Sequence, residues 1–138
     1  MSRVAVVQAA PIVFDRERTL EVVADWTAQA AADGAQLVLF PEAFVSGYPK
    51  GLDFGARVGM RTAAGRDDYL RYWNSAVDVP GPAVDRICAI AKHHRMHLVI
   101  GVIERAAGTM YCTVLFFDSD GQLLGKHRKL MPTGGERL

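Results

Sequence analysis

The sequence predicts an α/β fold in which helices pack on a mixed β-sheet. Roughly the first forty residues contain an apolar run rich in Val, an amphipathic helical pattern and a second apolar run. That order is typical of a parallel β-α-β crossover. The C-terminal third contains three apolar runs separated by turn residues, which is typical of antiparallel strands. A parallel crossover that continues into antiparallel strands gives a mixed sheet.

The first three elements are expected to be a strand, a helix and a strand. Residues 3–8 form an apolar run rich in Val, and Asp15 is placed to cap the helix that follows. Gly34 is suited to end that helix, since glycine tolerates the backbone conformation found at helix C-termini. Residues 37–40 then form a second buried strand, which ends at Pro41 because proline has no amide hydrogen to donate.

The middle of the chain is expected to be a long loop followed by helices. Residues 43–65 contain five glycines and little periodicity, and long loops in compact domains are often functional. Residues 67–76 fit a short helix. Pro82 favours the first turn of a further helix, and residues 84–91 carry apolar side chains at helical spacing.

Three strands are expected to complete the order β-α-β-α-β-β-β. Residues 98–103 and 110–117 are apolar runs separated by a short turn, so we expect them to pair antiparallel. Residues 118–121, with the sequence DSDG, are a strong turn signal that leads to a fifth strand over about residues 122–129.

Composition limits the classes of partner. Of the 138 residues, 16 are Lys or Arg and 15 are Asp or Glu, and no basic stripe is interleaved with aromatic residues. We therefore expect a single globular domain, or part of one, that binds neither nucleic acid nor a membrane. Cys88 and Cys112 have no CxxC spacing, so we expect no disulfide framework and a reducing, cytoplasmic setting.

Two ionisable residues follow predicted strands, where sheet proteins often place their chemistry. Glu42 comes directly after an apolar strand and a proline, an unfavourable place for a carboxylate unless it is paired. Lys129 ends a strand with basic neighbours. The alternatives are a solvated loop acid and a solvated edge lysine. Together, a carboxylate and an ammonium could share proton transfer and charge stabilisation.

Other candidate residues are interpreted as structural. His93 and His97 have a spacing that can bind a metal, but basic side chains at a helix C-terminus also interact favourably with the helix dipole. We therefore expect no metal site. Cys88 and Cys112 lie in apolar segments and are expected to be buried, inert thiols. The chain thus offers an acid/base pair without an evident nucleophile.

Residues 40–49 (FPEAFVSGYP) and 127–133 (HRKLMPT), supported by 4–9 and 101–105, resemble the nitrilase (carbon-nitrogen hydrolase) family. The second motif is similar to true nitrilases and cyanide hydratases more than to the amidase branches. The resemblance covers all 138 residues and implies the N-terminal half of a four-layer αββα sandwich with a mixed β-sheet. Residues 1–138 would then be a single, incomplete carbon-nitrogen hydrolase domain.

The resemblance also implies roles for individual residues. It makes Glu42 the catalytic base and Lys129 the charge-stabilising cation, and it assigns substrate positioning to Glu136 and Tyr48. The family nucleophile is a cysteine that lies beyond the lysine motif, and neither cysteine of this chain matches it. The implied set is Glu-Lys-Cys, with no metal or organic cofactor.

The implied activity is hydrolysis of a small-molecule nitrile to a carboxylic acid and ammonia through a thioimidate and a thioester. A cyanide hydratase or an aliphatic amidase is the alternative within this class. A truncated, non-catalytic interaction module is the alternative from another class. The resemblance further implies homo-oligomers, and we expect the 138-residue polypeptide alone to be inactive.

Overall fold

A computed structural model of the chain describes residues 2–56 and 61–133. Its strands form one sheet of five strands in the order β1-β2-β3-β4-β5. The strands are β1 (Val4–Val6), β2 (Leu37–Leu39), β3 (His97–Ala106), β4 (Thr109–Phe117) and β5 (Leu123–Arg128). The helices are α1 (Arg16–Ala32), α2 (Ala63–Ser75) and α3 (Pro82–His94).

The sheet is mixed, as the sequence predicts. Strands β1, β2 and β3 run parallel, with Val38 beside Leu98 in register. Strands β3, β4 and β5 form two successive antiparallel pairs. The mixed α/β fold class, the parallel crossover and the antiparallel pairing are therefore confirmed. Within residues 2–56 and 61–133, strand β5 lies at the edge of the sheet and pairs with β4 alone.

Local signals explain where the helices begin. The side chain of Asp15 accepts a hydrogen bond from the backbone amide of Arg18, so it caps α1 as expected. Helix α2 begins earlier than the expected residue 67, because the side chain of Thr62 accepts from the amide of Gly65. The expected loop over residues 43–65 is correspondingly shorter. Among the described residues, none of the helices combines the length and apolar character needed to cross a membrane.

Helices α1 and α3 pack on one face of the sheet. Their fully buried side chains include Leu20, Val23 and Ile87, which join Ile100 and Val102 of β3 in the main apolar core. Burying a side chain of this size stabilises a fold by about 1.5–3 kcal/mol relative to leaving it exposed. This core therefore fixes the sheet and the strand ends that carry the candidate site.

The other face of the sheet is covered only in part. Near the ends of β3 and β4, helix α2 and the preceding loop form a second apolar cluster that contains Ala43, Tyr72 and Ile103. Elsewhere this face exposes large apolar side chains: Val4, Val6, Leu39, Phe116 and Leu124. A sheet with α1 and α3 on one side and exposed apolar side chains on much of the other matches the half of a layered sandwich that the resemblance implies.

Candidate active site

The segment that follows β2 carries Glu42 along the neighbouring strand β3. The backbone amide of Phe40 donates to the carbonyl of Val99 at 2.8 Å, and the amide of Val45 donates to the carbonyl of Gly101 at 3.1 Å. Glu42 lies between these two anchored positions. Glu42 is therefore held at a fixed position beside β3, although it is part of a loop.

Gly101 allows this segment to approach the sheet closely. A Cβ atom at this position would lie 2.5 Å from the backbone oxygen of Pro41 and from the backbone nitrogen of Ala43. It would also lie 2.6 Å from the Cα atom of Glu42. Ala43 itself has a left-handed backbone, with φ at 49°, which is uncommon for residues other than glycine. Strained backbone of this kind often accompanies a functional site.

The end of β5 brings Lys129 to the same place. The backbone amide of Lys129 donates to the carbonyl of Cys112 at 2.8 Å, which continues the β4–β5 pairing beyond Arg128. Because successive side chains of a strand point to opposite faces, Lys129 and Arg128 face opposite sides of the sheet. The same holds for Cys112 and its neighbour Thr113 on β4.

Three side chains meet at one carboxylate oxygen. The Nζ atom of Lys129 donates to Oε1 of Glu42 at 2.9 Å, and the Sγ atom of Cys112 donates to the same oxygen at 3.4 Å. The side chain of Glu42 is 56% exposed and that of Lys129 is 30% exposed. The two predicted residues are therefore in direct contact at an accessible surface of the sheet.

This contact lowers the pKa of Glu42. The hydrogen bond from Lys129 is the largest effect and holds the pKa of Glu42 below its ordinary value. Partial burial opposes this effect, while the hydrogen bond from Cys112 and the positive charge of Lys129 reinforce it. The ordinary pKa of the carboxyl already lies below neutral, so at neutral pH the pair is a carboxylate that can accept a proton beside an ammonium that can stabilise negative charge.

The pair opens into a cavity of about 630 Å³, which lies within the size range of small-molecule sites. Its lining combines apolar side chains with the charged pair and one thiol. The lining residues are Leu39, Phe40, Pro41, Glu42, Gly101, Cys112, Thr113, Val114, His127, Lys129 and Leu130. Such a site can hold a small, largely apolar molecule with one polar group at the pair.

The structure places the other candidate residues differently. Cys112 is not the fully buried core thiol that its apolar run predicts, because it is only partly buried and donates to Glu42. Cys88 is also only partly buried rather than buried as expected, although burial and the nearby charge of Asp85 raise the pKa of its thiol. Tyr48 packs against the second apolar cluster beside the site. Glu136 lies outside the described residues.

Glu104 has no individual role among the residues predicted from sequence, although it is fully buried. Its carboxylate accepts hydrogen bonds from Thr113 of β4 and from Lys126 and Arg128 of β5. Burial is the largest single effect and raises the pKa of Glu104. The hydrogen bonds from Arg128, Lys126 and Thr113 and the positive charge of Lys126 together outweigh it and lower the pKa to about 2. A lone carboxylate in an otherwise apolar strand is the sequence signal for such a group.

Curated relatives match nearly the whole of this chain. A bifunctional nitrilase/nitrile hydratase of Nicotiana tabacum is 55% identical over 136 residues, which are 99% of this chain and 39% of that protein. An aliphatic nitrilase of Sinorhizobium fredii is 51% identical, over 99% of this chain and 44% of that protein. The chain thus spans about two-fifths of the length of these curated relatives.

Solved structures agree on the fold. An amidase from Nesterenkonia sp. superposes with a TM-score of 0.69 at 24% identity, covering 98% of this chain and 45% of that one. The model of the carbon-nitrogen hydrolase family matches residues 3–138. That match includes the segments that carry Glu42, Cys112 and Lys129. The chain therefore belongs to the carbon-nitrogen hydrolase family.

Proposed function

We propose that the protein containing this chain hydrolyses a nitrile to a carboxylic acid and ammonia. Glu42 is the general base and Lys129 stabilises the charge that develops on nitrogen. The observation that carries the proposal is the 2.9 Å contact between Lys129 Nζ and Glu42 Oε1 at the wall of a small-molecule cavity. The names of the relatives, which include nitrilases, support the substrate class.

The reaction needs these two groups together. A nitrile carbon is a weak electrophile, so a thiolate attacks it while a neighbouring cation stabilises the negative charge on nitrogen. Water then adds to the thioimidate carbon, ammonia leaves, and a second water hydrolyses the thioester and releases the acid. Glu42 accepts a proton from the thiol and passes it to the nitrogen, which also receives both protons of the first water before it leaves as ammonia. One proton of the second water returns through Glu42 to the departing sulfur, and the other stays on the acid.

In the proposed scheme, the described residues do not supply the attacking sulfur atom. We assign it to a part of the relatives' length that this chain does not span. Cys112 is the second candidate, because its Sγ atom already lies 3.4 Å from Glu42. Nitrile hydrolysis by the 138-residue chain, abolished by Cys112→Ala, would favour Cys112 over the first assignment.

The decisive experiment uses a chimera in which this chain replaces the matching 136 residues of the tobacco relative. The chimera is incubated with aliphatic and aromatic nitriles, and the acid, amide and ammonia that form are quantified. Acid and ammonia in equal amounts are expected. Amide as the sole product would favour a hydratase, including a cyanide hydratase. Turnover of amides without turnover of nitriles would favour an aliphatic amidase.

A non-catalytic interaction module is the proposal from another class. It is favoured by the large apolar side chains exposed on one sheet face, of which Val6 is 66% exposed and Leu124 is 63% exposed. Size-exclusion chromatography of the chain, with and without the C-terminal part of the tobacco relative, tests it. A complex that forms without restoring nitrile turnover would favour the module.

Further features belong to the same proposal. We propose that Tyr48 and Glu136 help to position substrate, that the whole protein forms homo-oligomers and that it works in the cytoplasm. The role of Tyr48 is supported by its packing beside the site. The cytoplasmic location is supported by the two free thiols among the described residues. Sedimentation of the whole protein and substrate kinetics of Tyr48→Phe test the assembly and the first role.

A further inference from the structure

A second charged cluster lies directly behind the candidate active site. The side chain of Glu104 is 1% exposed and points to the same sheet face as Ile100 and Val102, which pack against the helices. Thr113 Oγ1 donates to its Oε2 atom at 2.9 Å, and Lys126 donates to its Oε1 atom. One carboxylate therefore connects β3 to both of the strands that follow it.

The contact with Arg128 is bidentate. Its Nε atom donates to Oε2 of Glu104 at 2.9 Å, and its Nη2 atom donates to Oε1 at 2.7 Å. The guanidinium also stacks over the ring of Tyr111, with 3.9 Å between the guanidinium carbon and the ring centroid. Two parallel hydrogen bonds and a stacked ring fix the orientation of Arg128 as well as its position.

The two clusters are joined through adjacent residues. Arg128 precedes Lys129 on one strand, and Cys112 precedes Thr113 on the neighbouring strand. In each pair, one residue contacts Glu104 and the other contacts Glu42. Because neighbouring side chains of a strand point to opposite faces, the two carboxylates lie on opposite sides of the same stretch of sheet.

The edge position of β5 makes this connection important. Among the strands of the described part of the chain, β5 pairs only with β4, so backbone hydrogen bonds to these strands hold it on one side. The contact of Glu104 with Arg128 reaches across β4 and ties the end of β5 to β3. A small rotation of this end would move the long side chain of Lys129 away from Glu42.

We propose that Glu104 is a positioning residue, which holds the end of β5 through Arg128 so that the ammonium of Lys129 reaches Glu42. This inference rests on the proposed function, because it concerns the placement of the proposed catalytic pair. Glu104 itself contacts neither Glu42 nor the cavity lining other than Thr113 in the described contacts. It therefore acts through its neighbours.

The first test measures the titration of the Glu42 carboxyl carbon by NMR in the 138-residue chain. Arg128→Lys keeps the positive charge but loses the bidentate contact with Glu104. Glu104→Gln removes the negative charge of the carboxylate that accepts these hydrogen bonds. Both variants are expected to raise the pKa of Glu42 by at least half of the rise that Lys129→Met causes. If Glu104→Gln does not fold, Arg128→Lys decides the result alone.

The matched control is Asp78→Asn. This substitution disrupts the bidentate ion pair between Asp78 and Arg105, and Arg105, like Glu104, is a residue of β3. Asp78→Asn is expected to leave the titration of Glu42 unchanged. In the double variant Glu104→Gln/Arg128→Lys, the pKa should rise no further than in the larger single variant. An unchanged titration in Arg128→Lys, or equal rises in this variant and in Asp78→Asn, would overturn the proposal.

Kinetics of the chimera provide the second readout. In Arg128→Lys we expect kcat to fall about 10- to 100-fold with KM nearly unchanged, because misplacing a catalytic group weakens the transition state more than substrate binding. A rise in KM with kcat retained would contradict the inference. The titration needs no turnover, so a failure of the proposed function leaves the first test intact.

Discussion

Glu42 and Lys129 are 87 positions apart in the sequence, yet Nζ of Lys129 lies 2.9 Å from Oε1 of Glu42. The contact depends on the parallel placement of β2 beside β3, because the segment that follows β2 then runs along β3 and carries Glu42. It depends equally on the antiparallel pairing of β4 with β5, which ends at Lys129. The fold therefore creates the pair from two segments that share no local structure.

Removing the ammonium should raise the pKa of Glu42. The hydrogen bond from Lys129 is the main reason that this pKa lies below its ordinary value, and partial burial acts in the opposite direction. In Lys129→Met, the carboxyl should therefore bind its proton at a higher pH. NMR titration of the carboxyl carbon measures the change.

Lys92→Met is the control for that measurement, because Lys92 is an exposed residue of α3 outside the contacts of Glu42. It should leave the pKa of Glu42 as it is in the unmodified chain. A pKa that stays low in Lys129→Met would mean that the ion pair does not exist in solution.

Replacing Gly101 should disturb the segment that carries Glu42. A Cβ atom there would lie 2.5 Å from backbone atoms of Pro41 and Ala43, so the segment must move. We expect Gly101→Ala to lower the free energy of unfolding by about 1–3 kcal/mol, the usual cost of overpacking. Urea unfolding measures this loss.

Gly125→Ala provides a matched comparison, since a Cβ atom at Gly125 of β5 meets no atom within 4 Å. Its effect on the free energy of unfolding should stay within about 0.5 kcal/mol. Equal losses for the two variants would show that the close approach at Gly101 is not what matters.

Acid should destabilise the fold through Glu104. Its folded pKa of about 2 lies below its ordinary value of 4.5, so the unfolded state binds this proton more readily. The stabilising contribution is thus complete above about pH 5 and is lost as the pH falls toward 2. At about 1.4 kcal/mol for each pKa unit, the loss is roughly 3 kcal/mol.

Urea unfolding at pH 7 and at pH 3 checks this prediction. In Glu104→Gln, the difference in stability between the two pH values should be smaller than in the unmodified chain. Glu21→Gln, on the exposed side of α1, serves as the control and should keep the full difference. The assignment fails if both variants retain the same pH dependence.

Much of the fold is predictable because its signals are local. The cap at Asp15, the proline at the start of α3 and the turn at residues 118–121 act within a few residues of their position. The predicted start of α2 at residue 67 is wrong, because Thr62 caps the helix from within a glycine-rich stretch that resembles a loop. Such a cap is visible in the sequence only when the following helix has a clear apolar pattern.

The site is less predictable because it depends on register. Glu42 and Lys129 can be singled out as charges at strand ends, but their contact depends on how distant strands align. Cys112 was misassigned because a continuous apolar run does not reveal which face each residue occupies. Glu104 had a clear signal as a buried carboxylate, but its partners lie on two other strands.

The most direct test of the account is the steady-state rate of nitrile hydrolysis by the chimera and its Glu42→Gln and Lys129→Met variants. The account predicts that each substitution lowers kcat by about 1000-fold, because proton transfer or charge stabilisation is lost. The control variant Glu21→Gln should retain the rate of the parent chimera. Parent-like kcat in either Glu42→Gln or Lys129→Met would contradict the central claim that this pair performs the chemistry.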